Sequence, residues 1–233
     1  MLVYRILLLM VAICLFVFSR EKLNFTAIFQ LSLNGWFIWL VWLTLVFHML
    51  YRLIPNKRIS IGARKHYACT YRAATPNGSD SKNIQISQEQ LHKGALLSAL
   101  GWFVVSAAVV IALYLFNMLT PAIMIIVALT YAAFDIVFIL FFCPLRLFFM
   151  RNRCCVVCRI YNWDYFMICA PLIIYPHFFS VSLFLISAAV LLRWEIALRK
   201  NPRFFLKEHN DNLSCESCED KLCRHNFKSG RAL

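Results

Sequence analysis

The chain alternates long apolar runs with short polar, basic stretches. Leu2 to Phe18 is apolar apart from Arg5 near its start. Further runs cover about Ile28 to Leu50, Gly94 to Phe116 and Pro121 to Phe142. A bilayer crossing takes about 20 predominantly apolar residues, so each run reads as a transmembrane helix. Val17-Phe18-Ser19-Arg20 lacks the small-residue pattern of a leader cleavage site, so the first run reads as a retained helix. Local signals set limits. Ser87-Gln88-Glu89-Gln90 reads as a capping box, which starts the third helix before the membrane. Thr120-Pro121 opens the fourth helix, and Asn201-Pro202 ends the last.

The stretch from Cys158 to Arg199 contains Pro171 and Pro176 and is long for one span. As a single helix its 42 residues would reach about 63 Å, roughly twice the hydrocarbon thickness. A hairpin fits better: a fifth helix from about Cys158 to Tyr175, a turn at Pro176-His177, and a sixth helix from about Phe178 to Leu198. The expected fold is therefore all-α, a polytopic membrane helix bundle of about six transmembrane helices with small cytoplasmic loops. Its parts are helices 1–2 (1–50), a basic loop (51–93), helices 3–4 (94–142), a basic Cys-rich loop (143–157), the hairpin (158–199) and a Cys-rich tail (200–233).

Composition agrees. Apolar residues make up 61% of the 233 and charged residues 15%, against about 25% charged in soluble domains. Disorder, a disulfide miniprotein and an ordinary soluble enzyme are excluded. The net charge of +13 is explained by topology, and no nucleic-acid partner is expected. With six crossings, 22 of the 24 Lys and Arg fall on one side, counting Arg5, and only Arg20 and Lys22 on the other. The rich side is cytoplasmic by the positive-inside rule. The protein is then integral to a cytoplasmic membrane of the bacterial kind, with both termini inside. The lipid bilayer is its surroundings, and a membrane protein partner is a further expectation.

Two chemistries stand out. Asp135 lies inside the fourth span, about 10 Å from its cytoplasmic end. An intramembrane carboxylate faces a bundle interior or a wet cavity. It is either a proton or cation site on a transport path or a paired group that fixes packing. Glu195 and Arg199, four residues apart, are spaced to pair along the last helix, and snorkelling to the interface is the preferred role of the charges that end it.

The second chemistry is the cysteines. Eight of the ten fall on the predicted cytoplasmic face, a reducing compartment where structural disulfides are disfavoured. Cys154-Cys155-x-x-Cys158 and Cys215-x-x-Cys218-x4-Cys223 each offer a two-residue gap that lets two thiolates grip one ion. Two such knuckles make a four-sulfur site suited to zinc or an iron–sulfur cluster. The proposed ligands are Cys155, Cys158, Cys215 and Cys218, with Cys154, Cys223 and His225 as further candidates. Such a site is structural or redox-active, in an accessory membrane subunit. The alternatives are a small transporter or channel using Asp135, and a membrane thiol redox enzyme. No catalytic residue is assigned, and phosphate-loop, zinc-protease and nucleophile-elbow motifs are absent.

In the basic loop, short strands are expected around Arg58 to Tyr71, with Asn77-Gly78 as a turn signal. Arg64, Lys65, His66 and Tyr67 read as solvated topological determinants or as residues lying on anionic lipid. Small residues in the third span, Gly94, Ser98 and Gly101 among them, signal close helix packing.

Overall fold

The computed structural model describes residues 2–18, 33–74, 81–141, 143–150, 156–214 and 217. Among these the chain is helical, with a single antiparallel bridge, Ala73 to Asn210, in place of any strand. The α-helices are α1 (Leu2–Phe18), α2 (Leu33–Leu53), the short α3 (Ile61–Arg64), α4 (Ser81–Leu115), α5 (Pro121–Leu140), α6 (Asp164–Cys169) and α7 (Phe178–Lys200). Among the described residues four stretches are long and apolar enough to cross a membrane: Leu33–Leu53, Glu89–Leu115, Pro121–Leu140 and Phe178–Lys200. Large apolar side chains along them, among them Trp36, Phe47, Phe103, Val104, Leu185 and Leu192, point outward. Contiguous outward apolar surface of this kind suits a lipid solvent.

Several limits follow the sequence signals. Helix α5 starts at Pro121, with the Ile123 amide 3.4 Å from the Thr120 hydroxyl. Helix α7 ends at Lys200, and Pro202 opens a 3-10 turn. Helix α4 closes through Asn117, whose φ of 55° is left-handed, while the Met118 amide donates to the Leu113 carbonyl. Asparagine tolerates that conformation, which lets the chain turn towards α5.

Three expectations are corrected. Helix α4 begins at Ser81, so Ser87 lies in its interior and caps nothing. Its 35 residues measure about 52 Å, well beyond one hydrocarbon thickness. The basic loop holds no strand over Arg58 to Tyr71; α3 and a 3-10 turn (Ala68–Thr70) lie there instead. The fifth helix is broken. A 3-10 turn (Arg159–Asn162) precedes α6, and a second (Ala170–Ile174) follows it. Pro171 lacks the amide that would continue α6. The stretch Asp164–Ile174 rises only about 19 Å, short of a full crossing. The expected turn is present: Ser180 Oγ accepts from the His177 amide and donates to the Tyr175 carbonyl.

The chain forms two compact units. The first comprises Met1–Tyr51, Trp102–Val137 and Asp164–Val190; the second comprises Arg52–Gly101, Phe138–Trp163 and Leu191–Leu233. The core of the first is apolar and small-residue rich, with Ala12, Ile38, Val41, Met124, Ile125, Phe179 and Leu183 buried. In the second, the expected small-residue packing of α4 is present. A Cβ on Gly94 would come 3.0 Å from the Phe149 carbonyl oxygen, and one on Gly101 would come 3.0 Å from the Phe149 ring. Ser98 between them is fully buried and returns its hydroxyl to the Gly94 carbonyl. The π-helical stretch Leu145–Met150 thus lies directly on the α4 backbone.

Candidate functional site

In the second unit Lys65 is buried, 2% exposed. Its Nζ donates to the carbonyls of Val156 (2.8 Å) and Cys158 (3.3 Å). It also sits 4.8 Å from the Trp194 ring centroid and 5.6 Å from that of Phe205. Two carbonyl dipoles and two aromatic faces compensate the buried ammonium. Trp194 in turn donates its indole N–H to the Arg159 carbonyl at 2.9 Å. One lysine thereby fastens the start of the segment after residue 155 to α7 and to the Pro202–Phe205 turn.

This overturns the reading of residues 64–67 as solvated charge. Ile59, Ile61, Ala63, Lys65 and Tyr67 are all buried. The His66 ring lies 3.9 Å from the Tyr67 ring at a tilt of 43° and meets Trp194 edge-on. Burial together with the Arg193 cation lowers the His66 pKa to about 4, so the ring is neutral. Burial likewise raises the Tyr67 phenol, which donates to the Arg52 carbonyl. A signal for this existed: Lys65 occupies the same alternating positions as the apolar residues of its stretch.

The carboxyl-terminal segment closes over the same region. Leu213 shares a buried cluster with Ile61 and Val156. Asn212 donates to the Thr70 carbonyl at 2.6 Å, and the Asp211 amide donates to the Arg72 carbonyl. Of the proposed metal ligands, Cys158 is buried in a second cluster with Ala95, Met150 and Ile160. Cys154, Cys155, Cys215, Cys218, Cys223 and His225 lie outside the described residues. Among the described residues no three His, Cys, Asp or Glu side chains converge as a metal site would require.

Glu195 does not pair along α7 with Arg199. It binds Arg159 Nη2 at 2.7 Å and accepts the Trp163 indole N–H at 3.1 Å. Arg159 is better placed than Arg199 because it reaches Glu195 from the neighbouring segment and is itself largely buried, 13% exposed.

In the first unit Asp135 has a partner that the sequence did not suggest. Arg5 Nη1 lies 3.0 Å from Asp135 Oδ2 and 2.6 Å from the Ala132 carbonyl, and Arg5 Nη2 reaches the Tyr165 hydroxyl at 3.3 Å. The two side chains are 8% and 17% exposed. Arg5, counted from the sequence as a flanking topological charge, is turned inward. Its planar fork meets a carboxylate, a carbonyl and a phenol at once. Tyr131, one turn before Asp135, donates instead to Ser106 at 3.3 Å.

No family model, curated protein or solved structure matches this chain, so the functional reading rests on these sites alone.

Proposed function

We propose that the chain is a membrane protein of six crossings with both termini cytoplasmic, and that its second unit is a cytoplasmic platform for one cysteine-ligated metal ion, zinc or an iron–sulfur cluster. In this reading the protein is an accessory membrane subunit, and the metal ties its tail to the loop before the hairpin.

The observation that supports the shared metal site is the buried cluster of Ile61, Val156 and Leu213. Val156 directly follows Cys155, and Leu213 precedes Cys215 by two residues. At about 3.8 Å per Cα step, Cys155 is within one step, and Cys215 within about 7.6 Å, of a residue of that cluster. Lys65 holds the backbone on the other side of Val156. Two knuckles 56 residues apart in sequence are thus flanked by segments that pack together, as one four-sulfur site requires.

Two observations support the six-crossing count. Tyr175 at the hairpin turn donates to the Leu119 carbonyl, in the turn between α4 and α5. At the other end of α7, Glu195 returns to Arg159. The broken segment 159–175 is then a short fifth crossing that α7 retraces. Reporter fusions after Ser60, Arg151 and Leu233 should all report cytoplasmic; an external carboxyl terminus overturns the count and separates the knuckles.

The metal reading is tested on protein purified anaerobically, by metal content and visible spectrum. Cys158→Ser and Cys218→Ser should each reduce bound metal to near zero, since a four-sulfur site depends on the full set. Cys14→Ser and Cys169→Ser, in the first unit, should leave it unchanged. Retention of half the metal in single variants would mean two separate ions. Wild-type protein without zinc or iron would overturn the site. The transporter alternative finds less support, because the Arg5 fork engages Asp135 as a packing group would be engaged.

A further inference from the structure

A cavity of about 490 Å³ opens in the second unit where α4 and α7 leave their apolar stretches. Glu89 begins one of the membrane-length stretches and Lys200 ends another, so in the membrane reading proposed above the cavity falls at headgroup depth. Three basic side chains, Lys65, Arg159 and Arg199, line it, with His92 beside them. Glu89 is the one carboxylate in the lining, and Lys93 pairs with it at 2.7 Å. The remaining wall is apolar, formed by Leu91, Leu198 and Phe205 among others.

Arg159 is held in place at the cavity wall. Glu195 and His92 hold its two terminal nitrogens, at 2.7 and 2.9 Å. Its Nε is buried and has no hydrogen-bond partner among the described residues. A buried guanidinium N–H left unmade is costly, and the Arg159 cation adds its field at the cavity wall for an entering anion. Arg199 is exposed and has no ion-pair partner among the described residues, so its fork is available to the same anion.

We propose that this cavity binds the phosphate headgroup of an acidic phospholipid, with Arg159 and Arg199 on the phosphate and the apolar wall against the glycerol and first acyl carbons. The shared chemistry is a phosphate monoanion. The apolar wall and the position at the ends of two membrane-length stretches favour the lipid over a soluble phosphate. The inference goes beyond the cysteine site and needs no metal.

The test uses the full chain in neutral detergent, titrated with phosphatidylglycerol, with phosphatidylcholine and with inorganic phosphate while thermal unfolding is followed. Phosphatidylglycerol should raise the Tm saturably and phosphatidylcholine should not. Arg199→Glu, at an exposed position that does not threaten folding, should weaken the phosphatidylglycerol response by about tenfold or more. Lys57→Glu, an equal charge change on an exposed lysine outside this cavity, should leave it intact. Three results overturn the proposal: an equal response to phosphatidylcholine, an unchanged response in Arg199→Glu, or inorganic phosphate reproducing the shift at the same concentrations.

Discussion

Arg5 and Asp135, 130 residues apart in sequence, meet at 3.0 Å in the apolar interior of the first unit. The pair is buried, and burying two charges is favourable only while each keeps the other and its remaining hydrogen bonds. Removing one partner strands the second in low dielectric. Asp135→Leu and Arg5→Met should each lower stability by about 3–5 kcal/mol, whereas the double replacement Arg5→Met with Asp135→Leu should recover much of the loss. Thermal unfolding of the four proteins in detergent closes the cycle. Additive losses would mean that the two side chains contribute independently of each other.

His66 gives the stability a pH dependence of definite sign. Its folded pKa is lowered to about 4 from 6.5, so the unfolded chain takes up the proton first. The contribution is fully present above pH 6.5, declines as pH falls and levels off below the folded pKa near 4. The full swing is at most about 3 kcal/mol, less for the part of the ring that water reaches. Denaturant melts at pH 7.5 and pH 5 should differ accordingly, and His66→Gln should remove most of the difference. A wild-type protein equally stable at both values would show that the folded ring takes up a proton as readily as the unfolded one.

The apolar runs made the helices legible because lipid-facing and core-facing positions are both hydrophobic, so run length alone marks a span. The turn before α7 was legible from local sequence too, through Pro176-His177. The fifth helix was not. Its composition is apolar enough, but Pro171 changes the hydrogen-bond pattern without changing hydropathy. The site residues divide in the same way. Asp135 was legible as an intramembrane charge, yet its partner was assigned to topology because Arg5 sits four residues from the start, where a basic residue already has an explanation. Lys65 was missed because a basic loop in a membrane protein accounts for its own charge. Only the buried alternation of Ile59, Ile61, Ala63 and Tyr67 around it carries the information. The cysteine spacing suggested a common site, but no local pattern marks Val156 and Leu213 as members of one cluster.

Lys65 is expected to hold the residues after Cys155 in place. Lys65→Met keeps much of the apolar stem but loses both carbonyl bonds and both ring contacts. The Val156 and Cys158 carbonyls are left without that donor, at a cost of about 2–4 kcal/mol in total. The local consequence is sharper than the global one. Amide hydrogen exchange should rise in residues 156–163 and around Trp194, while residues 121–137 keep their protection. Uniform loss of protection across both groups would mean that Lys65 holds the whole chain and not this junction.

Gly94 and Gly101 should respond differently to the same change. Alanine in place of a helical glycine gains about 1 kcal/mol in propensity. At Gly94 the new methyl would meet the Phe149 carbonyl oxygen and the Met150 sulfur, both at 3.0 Å. The carbonyl belongs to the backbone and moves only with its whole segment, so the overpacking cost of about 1–3 kcal/mol should exceed the gain. At Gly101 the nearest atoms, from 3.0 Å, belong to the outer edge of the Phe149 ring, and a small rotation can relieve them. Gly94→Ala should therefore lower the Tm, whereas Gly101→Ala should be neutral or stabilising. The reverse order would mean that the 145–150 segment yields more easily than the ring it carries, and that α4 does not seat on its backbone.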